Sequence, residues 1–428
     1  MSEFSTQKIR NTIQSNSQVL KNMTWLSVLQ FANYLIPLLI LPFITRTLGA
    51  EPIGRIIYAQ GIISYFTIII NYGFEYSGTR EIAINKNNKE KIKLIFWSII
   101  KDKILFLIIS FVLFACLSFF FSKISEDINL YLACFFINVG IAIFPTWFFL
   151  GMENMKVMSL FNFFIKLVGA LLTIAVIRTP SDYLAYALFP SLSYLVIGIY
   201  AFFYVIKKHK LAWWLKDKKI NREVLISGFP IFSNNVFVSL YNVTNMTILG
   251  FYVSDLELGY YSGAYKIILA INTFICGPVV QAVYPAISRK FATSRMEGMN
   301  YLKHVIIIFG GISLIISGVV YLSAPYLVKI LLGNEFCESI PLLQYFSCTT
   351  FLVVVASLLT VQGLYGMGLQ HYAARIGAVL ATFCISLNFI ITPKLGSEGA
   401  ILSWISTQIL EILIVGCVLL FFTKDNNV

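Results

Sequence analysis

The stretch "IISYFTIIINYGFEYSGTREIAINK" (62–86) joins an apolar run to a longer segment in which polar and large hydrophobic residues alternate. The run that ends at Ile70 is typical of a helix inside a lipid bilayer, since a spanning helix needs about 20 mostly apolar residues. Glycine, glutamate, serine and arginine then alternate with aromatic and aliphatic residues for about three more turns. This pattern indicates either the wet end of a membrane helix or part of a site that handles a polar cargo.

The composition extends the membrane interpretation to the whole chain. Of the 428 residues, 58% are hydrophobic and only 12% are charged, whereas about a quarter of the residues in soluble domains are charged. In a soluble protein the net charge of +12 would suggest a nucleic-acid partner. Here most lysines and arginines follow every second apolar run, which is the positive-inside pattern of cytoplasmic loops. We therefore expect no nucleic-acid partner, an even number of crossings and both termini in the cytoplasm.

Apolar runs long enough to cross a membrane recur along the chain. Charged or Pro/Gly-rich segments separate twelve of them, each predicted to be a transmembrane helix. They lie at 23–45, 56–82, 94–121, 128–150, 157–177, 183–206, 224–250, 257–288, 304–332, 337–364, 371–392 and 398–422.

A polar segment near the midpoint, "KKHKLAWWLKDKKINRE" (207–223), predicts two halves of six helices each. A weak repeat supports this division, because "LGAEPIGRIIYAQGI" (48–62) aligns with "VSDLELGYYSGAYKI" (253–267), Gly54 falling on Gly259. Six crossings per half make the repeat parallel, with a pseudo-two-fold axis along the membrane normal. We therefore predict an all-α integral membrane protein with a central hydrated cleft, the architecture of a transporter. The predicted parts are a cytoplasmic tail (1–22), a first half (23–206), a cytoplasmic linker (207–223), a second half (224–422) and a cytoplasmic tail (423–428).

Of the charged residues inside predicted spans, we single out three as candidates for function, since a charge at mid-bilayer costs about 2.5–3.5 kcal/mol on insertion scales. They are Lys166, Lys266 and Glu411. One interpretation is a lysine–glutamate pair that holds helices together. The other is a hydrated, mainly cationic cavity that attracts an anionic group of a cargo.

The seventh predicted span, "FSNNVFVSLYNVTNM" (232–246), carries several amides on one face. Asn234, Asn242 and Asn245 share that face, with Tyr241 beside it. Amides are hydrogen-bonding partners for sugars, but they also join membrane helices. The sequence leaves both roles open.

Motifs of catalysis and metal binding are missing from the sequence. It contains no HExxH, no Walker lysine loop and no GxSxG. We therefore expect no enzyme activity, no metal and no cofactor. A secondary transporter remains, driven by an ion gradient or by the cargo's own concentration difference.

The segment "LPFITRTLGAEPIGRIIYAQGIISYFTIIINYGFEYSGTREIA" (41–83) resembles the N-terminal signature of the Wzx-type oligosaccharide flippases. The matching positions, after the "LKN" at 20–22, are Pro42, Arg46, Leu48, Gly49, Gly54, Tyr58, Ala59, Gln60, Tyr72, Gly73, Phe74, Ser77 and Arg80. In the second half, "YYSGAYKIILAINTFICGPVVQAVYPAISRKF" (260–291) is similar to helix 8 of the wider exporter superfamily, which includes the murein-precursor flippase. Lys266 falls where that relative has a cavity arginine.

The resemblance implies a multi-pass protein of the bacterial inner membrane that moves an undecaprenyl-pyrophosphate-linked oligosaccharide, of O-antigen or capsule, from the cytoplasmic to the periplasmic leaflet. The expected partners are this lipid-linked cargo, membrane lipids, a polysaccharide polymerase and a chain-length regulator. Lys166, Lys266, Arg46 and Arg80 would meet the anionic linker, and the amides and Tyr241 the sugars. Glu75 and Glu411 are the candidates for ion coupling.

Two alternatives remain open from the sequence. A multidrug or cation extruder of the same fold would need an acidic cation site among the helices, for which Glu411 offers thin support. A membrane polysaccharide polymerase is disfavoured because the predicted outside loops are short.

Overall fold

The computed structural model describes residues 35–211 and 222–424, apart from some side chains that lie mainly between 222 and 285. Every regular element in these ranges is a helix, which confirms the all-α membrane fold. The elements are α1 (Leu35–Leu48), α2 (Ala50–Asn71), α3 (Phe74–Ile84), α4 (Lys89–Phe120), α5 (Ser122–Glu126), α6 (Ile128–Phe135), α7 (Ile137–Ile143), α8 (Thr146–Gly151), α9 (Met155–Val176), a 3-10 turn (Pro180–Asp182), α10 (Tyr183–His209), α11 (Arg222–Tyr252), α12 (Asp255–Thr293), α13 (Arg295–Leu331), a 3-10 turn (Asn334–Phe336), α14 (Ser339–Ser357), a π-helix (Leu358–Tyr365) and α15 (Gln370–Lys424).

Each predicted span overlaps at least one of these helices. Within the described ranges, eight helical segments are long and apolar enough to cross a membrane, and α1 is a shorter apolar helix. The last two predicted spans both fall in α15, which is kinked at Gly396. The count of twelve, the division into two halves and the two tails stay predictions, since residues 1–34, 212–221 and 425–428 lie outside the described part of the chain.

The helices form two compact units. The first comprises the described parts of 1–40, 63–177 and 184–235, and the second comprises 41–62, 178–183 and 236–428. Residues 41–62, which belong to the predicted first half, therefore pack with the second unit.

Aromatic residues and glycines pack the first unit. Phe96, Trp147 and Phe148 are at most 1% exposed. A Cβ on Gly140 would lie 2.6 Å from the carbonyl carbon of Tyr194, so α7 and α10 touch backbone to backbone. Small residues at such crossings are the usual way in which membrane helices approach closely.

Polar contacts fasten residues 41–62 within the second unit. The Arg46 guanidinium donates a hydrogen bond to the carbonyl oxygen of Ile330 at 2.8 Å. The Thr45 hydroxyl lies 3.3 Å from the carbonyl oxygen of Leu331 and donates to it. The α2 residue Arg55 forms an ion pair with Asp255 of α12, with 3.5 Å between Nε and Oδ2.

Candidate functional site

The second predicted span is broken in two at Tyr72 and Gly73. Both residues have positive φ, 44° for Tyr72 and 86° for Gly73, so α2 ends at Asn71 and α3 starts at Phe74. Gly73 adopts this conformation easily because it has no Cβ, whereas Tyr72 needs its surroundings to hold it. The Tyr72 ring packs against the ring of Phe106, with 5.0 Å between centroids, and stacks on Phe232 at the same separation.

A second break lies between α7 and α8. Pro145 has no N–H group, so the carbonyl oxygen of Ile141 lacks the donor that a continuous helix would supply. The ammonium group of Lys103, from α4, donates to this carbonyl oxygen at 2.8 Å. Lys103 is only 3% exposed, and this hydrogen bond explains how a lysine is tolerated inside the bundle.

The two breaks border one cavity of about 260 Å³ inside the first unit. Helices α2, α3, α4, α7, α8, α9 and α10, together with the link between α7 and α8, contribute to its walls. Glu75 and Lys103 are its charged residues, and aromatic and amide side chains make up most of the rest of its wall. The lining residues are Asn71, Phe74, Glu75, Lys103, Ile141, Phe144, Thr146, Trp147, Met158, Asn162 and Tyr194.

Lys166 lies next to this cavity. Its ammonium nitrogen is 6.0 Å from the centroid of the Tyr194 ring, which lines the cavity. Asn162 precedes Lys166 by one helical turn on the same face of α9. Two residues that the sequence singled out, Glu75 and Lys166, are thus found at one polar site in the first unit.

Lys103 was missed as a site residue, because it stands among the basic residues at the start of the third predicted span (94–121), which fit the positive-inside pattern. The structure buries Lys103 and leaves Lys101 exposed. The helical spacing indicates the burial of Lys103. It follows the buried Phe96 and Ile99 by seven and four residues and so shares their face of the helix.

In the second unit, Asn245 is part of a link between α11 and α15. Its side-chain oxygen accepts a hydrogen bond from the Asn388 amide at 2.6 Å and another from the Cys384 thiol at 3.3 Å. Asn245 is 8% exposed and Asn388 is fully buried. This geometry favours the helix-joining role that the sequence left open.

Glu411 accepts a hydrogen bond from the Thr360 hydroxyl at 2.9 Å. Thr360 belongs to the π-helix, a distortion that is frequent at functional sites. A lysine partner for Glu411 is not found among the described residues. Lys266 is half-buried on α12, where its ammonium group has no hydrogen-bond or ion-pair partner among the residues described.

None of the other predicted residues whose side chains the structure describes is among those that line the first-unit cavity. Arg80 is exposed near the end of α3. Arg46 lines a second cavity, of about 370 Å³, together with Thr45, Lys329, Leu332, Gly333, Asn334 and Glu335. The side chains of Asn234, Tyr241 and Asn242 lie outside the part of the chain that the structure describes.

Known proteins similar to this chain are transporters. It is 28% identical over 410 residues to a "Putative O-antigen transporter" of Escherichia coli strain K12, which covers 95% of this chain and 97% of the relative. It is also 28% identical over 397 residues to a protein of the same name from Shigella dysenteriae, which covers 92% of this chain and 98% of that protein.

Two solved structures share the fold. The lipid II flippase MurJ, in an inward closed conformation, matches with a TM-score of 0.69 at 16% identity, over 91% of this chain and 86% of that one. An inward-facing multidrug resistance MATE family transporter of the MOP superfamily matches with a TM-score of 0.67 at 13% identity, over 95% of this chain and 99% of that one. The sequence pattern of the polysaccharide biosynthesis proteins matches residues 19–291, well over half of the chain. The chain therefore belongs to the polysaccharide biosynthesis protein family.

Proposed function

We propose that this protein is a secondary transporter that moves an undecaprenyl-pyrophosphate-linked oligosaccharide repeat unit, of O-antigen or capsule, from the cytoplasmic to the periplasmic leaflet by alternating access. Its family and the names of its relatives support a role in the export of polysaccharide precursors. The fold it shares with a lipid II flippase is compatible with a lipid-linked cargo.

One observation carries the proposal, namely that an apolar helix bundle encloses a cavity with charged and amide walls. Burying a lysine in such a bundle is costly, so residues of this kind in membrane helices usually mark a substrate or ion pathway. A cargo with a polar head and a lipid tail needs such a cavity only for its head, because the tail can stay in the bilayer.

The predicted site residues keep their roles as proposals. Lys166, Lys266, Arg46 and Arg80 attract the pyrophosphate, and Asn234, Tyr241 and Asn242 meet the sugars. Asn245 was predicted with them, but its bond to Asn388 favours the helix-joining role. Glu75 and Glu411 remain the candidates for ion coupling. The protein acts in the bacterial inner membrane with both termini in the cytoplasm, alongside a polysaccharide polymerase and a chain-length regulator.

Complementation tests the proposal. A strain that lacks the protein should accumulate the lipid-linked repeat unit and lose its surface polysaccharide, and the wild-type chain should restore it. Lys266→Ala should insert normally but restore little polysaccharide, whereas Lys303→Ala, at an exposed lysine of the same unit, should behave as wild type. Normal surface polysaccharide in the deletion strain would reject the proposal.

The shared MATE fold leaves a multidrug extruder as the second candidate. Raised drug tolerance upon overexpression, combined with unaltered surface polysaccharide upon deletion, would favour it over the flippase.

A further inference from the structure

The size of the first-unit cavity limits what it can hold. Its volume of about 260 Å³ falls just below the range of roughly 300–1,000 Å³ of pockets that enclose drug-sized ligands. A complete oligosaccharide repeat unit exceeds this volume, whereas a single sugar ring with its substituents fits inside it.

The charges of the cavity argue against a pyrophosphate ligand. The formal charges of Lys103 and Glu75 in its wall cancel, so Lys166 beside the cavity leaves the site with a single net positive charge. Lys103 also uses one of its three N–H donors for the carbonyl oxygen of Ile141. A pyrophosphate needs an excess of positive charge and several free donors, because its oxygens all accept hydrogen bonds.

The polar groups of the cavity match a neutral sugar instead. A sugar hydroxyl both donates and accepts, so it can donate to the Glu75 carboxylate and accept from the Lys103 ammonium group. Asn71 and Asn162 contribute side-chain amides to the wall. One N–H of the Asn162 amide donates to the carbonyl oxygen of Met158 at 3.0 Å, and the side-chain oxygen of Asn162 can accept a hydrogen bond from a sugar hydroxyl. The half-buried ring of Tyr194 adds apolar surface to the wall, against which the C–H face of a sugar can pack.

We infer that this cavity is a subsite for one uncharged sugar ring of the cargo, in which Glu75 and Asn162 bind sugar hydroxyls. The inference rests on the proposed flippase function, since it states which part of the cargo binds in this cavity. The pyrophosphate is then bound outside this cavity, and Glu75 acts as a hydroxyl acceptor at this site in place of the ion-coupling role proposed above.

Binding to the purified full-length protein in lipid nanodiscs tests the inference. The probes are the lipid-linked repeat unit extracted from the deletion strain and undecaprenyl pyrophosphate without sugar. The variants are Glu75→Gln and Asn162→Ala. The control is Glu81→Gln, at a carboxylate on the same helix that does not line the cavity.

Wild type should bind the repeat unit more tightly than the sugarless lipid, and each cavity variant should lower that preference about threefold or more. Glu75→Gln replaces a charge-assisted hydrogen bond by a neutral one, and Asn162→Ala removes a neutral one. Affinity for the sugarless lipid should stay within about twofold, and the control should match wild type. An unchanged preference in both variants, or an equal loss for both probes, would overturn the inference. Wild-type protein that binds neither probe would instead reject the flippase function itself.

Discussion

Gly54 and Gly259 pack against each other's helices at the crossing of α2 and α12. A Cβ on Gly54 would lie 2.9 Å from the backbone nitrogen of Gly259, and a Cβ on Gly259 would lie 3.1 Å from the Cα of Ala50. The two contacts mirror each other, because Gly54 also meets the backbone of Asp255, which aligns with Ala50 in the repeat. The repeat seen in the sequence thus has a matching contact in the structure.

Replacing either glycine should destabilise the second unit. Backbone atoms cannot move aside as a flexible side chain can, so Gly54→Ala and Gly259→Ala should each cost about 1–3 kcal/mol through overpacking. A Cβ on Gly318 would have no atom within 4 Å, so Gly318→Ala should leave the melting temperature of the detergent-solubilised protein unchanged or raise it. Equal melting temperatures for all three variants would contradict the tight crossing.

Lys103 should matter for stability through Pro145. Lys103→Met removes the donor to the Ile141 carbonyl oxygen, which should cost about 1–3 kcal/mol for an unsatisfied buried acceptor. Pro145→Ala supplies an N–H that can donate to the Ile141 carbonyl oxygen in place of Lys103. The loss of stability caused by Lys103→Met should therefore be smaller in the Pro145→Ala background, and a double-mutant cycle should give a coupling energy of at least about 0.5 kcal/mol. Denaturant unfolding measures it, and Lys101→Met, at an exposed position, serves as control. Strict additivity would show that the two residues act independently.

Gly73→Ala should reduce transport. An alanine at a φ of 86° costs about 1–2 kcal/mol, and straightening the chain to relieve this strain would shift Glu75 relative to the cavity. We expect surface polysaccharide in the complemented deletion strain to fall at least severalfold at equal protein levels. Gly416→Ala, at a helical glycine with open space around it, should restore wild-type amounts.

The Asn245–Asn388 pair should behave as a link between helices. Asn388→Leu and Asn245→Leu should each lower the free energy of unfolding by about 0.6–1.7 kcal/mol, the range for hydrogen bonds between membrane helices. The double variant should lose less than the sum, because the pair shares one bond. If Asn245→Leu abolishes transport while the unfolding free energy stays at its wild-type value, Asn245 contacts cargo instead.

Glu411→Gln separates a structural from an ion-coupling role. The glutamine oxygen can still accept the Thr360 hydrogen bond, so the melting temperature should stay close to that of wild type. If Glu411 carries the coupling proton, transport by the variant in reconstituted vesicles should no longer respond to an imposed pH gradient. A full response to the gradient would remove Glu411 from the coupling mechanism.

The positions of the helices could be predicted from the sequence because each follows from a local apolar run. Helices such as α9 and α10 agree with the predicted 157–177 and 183–206 to within three residues at each end. Lys166 and Glu75 were also recognisable, since a charge in or beside an apolar run is conspicuous.

The first-unit cavity could not be predicted because tertiary contacts create it. A positive φ at Tyr72 depends on rings that arrive from α4 and α11, far away in sequence. The burial of Lys103, in contrast to Lys101, depends on a carbonyl group that Pro145 leaves free on another helix. The identity of one residue and its sequence neighbours does not reveal which distant residues will contact it.

The assignment of residues 41–62 to the second unit has a consequence for synthesis. Arg46 bonds to Ile330, a residue made 284 positions later, which is about 14–57 s later at roughly 5–20 residues per second. During that time the start of α2, including Gly54, is without its final neighbours. Assembly of this protein is therefore completed only after most of the chain has left the ribosome, and nascent chains that stop before α12 should be the ones that membrane quality-control proteases remove.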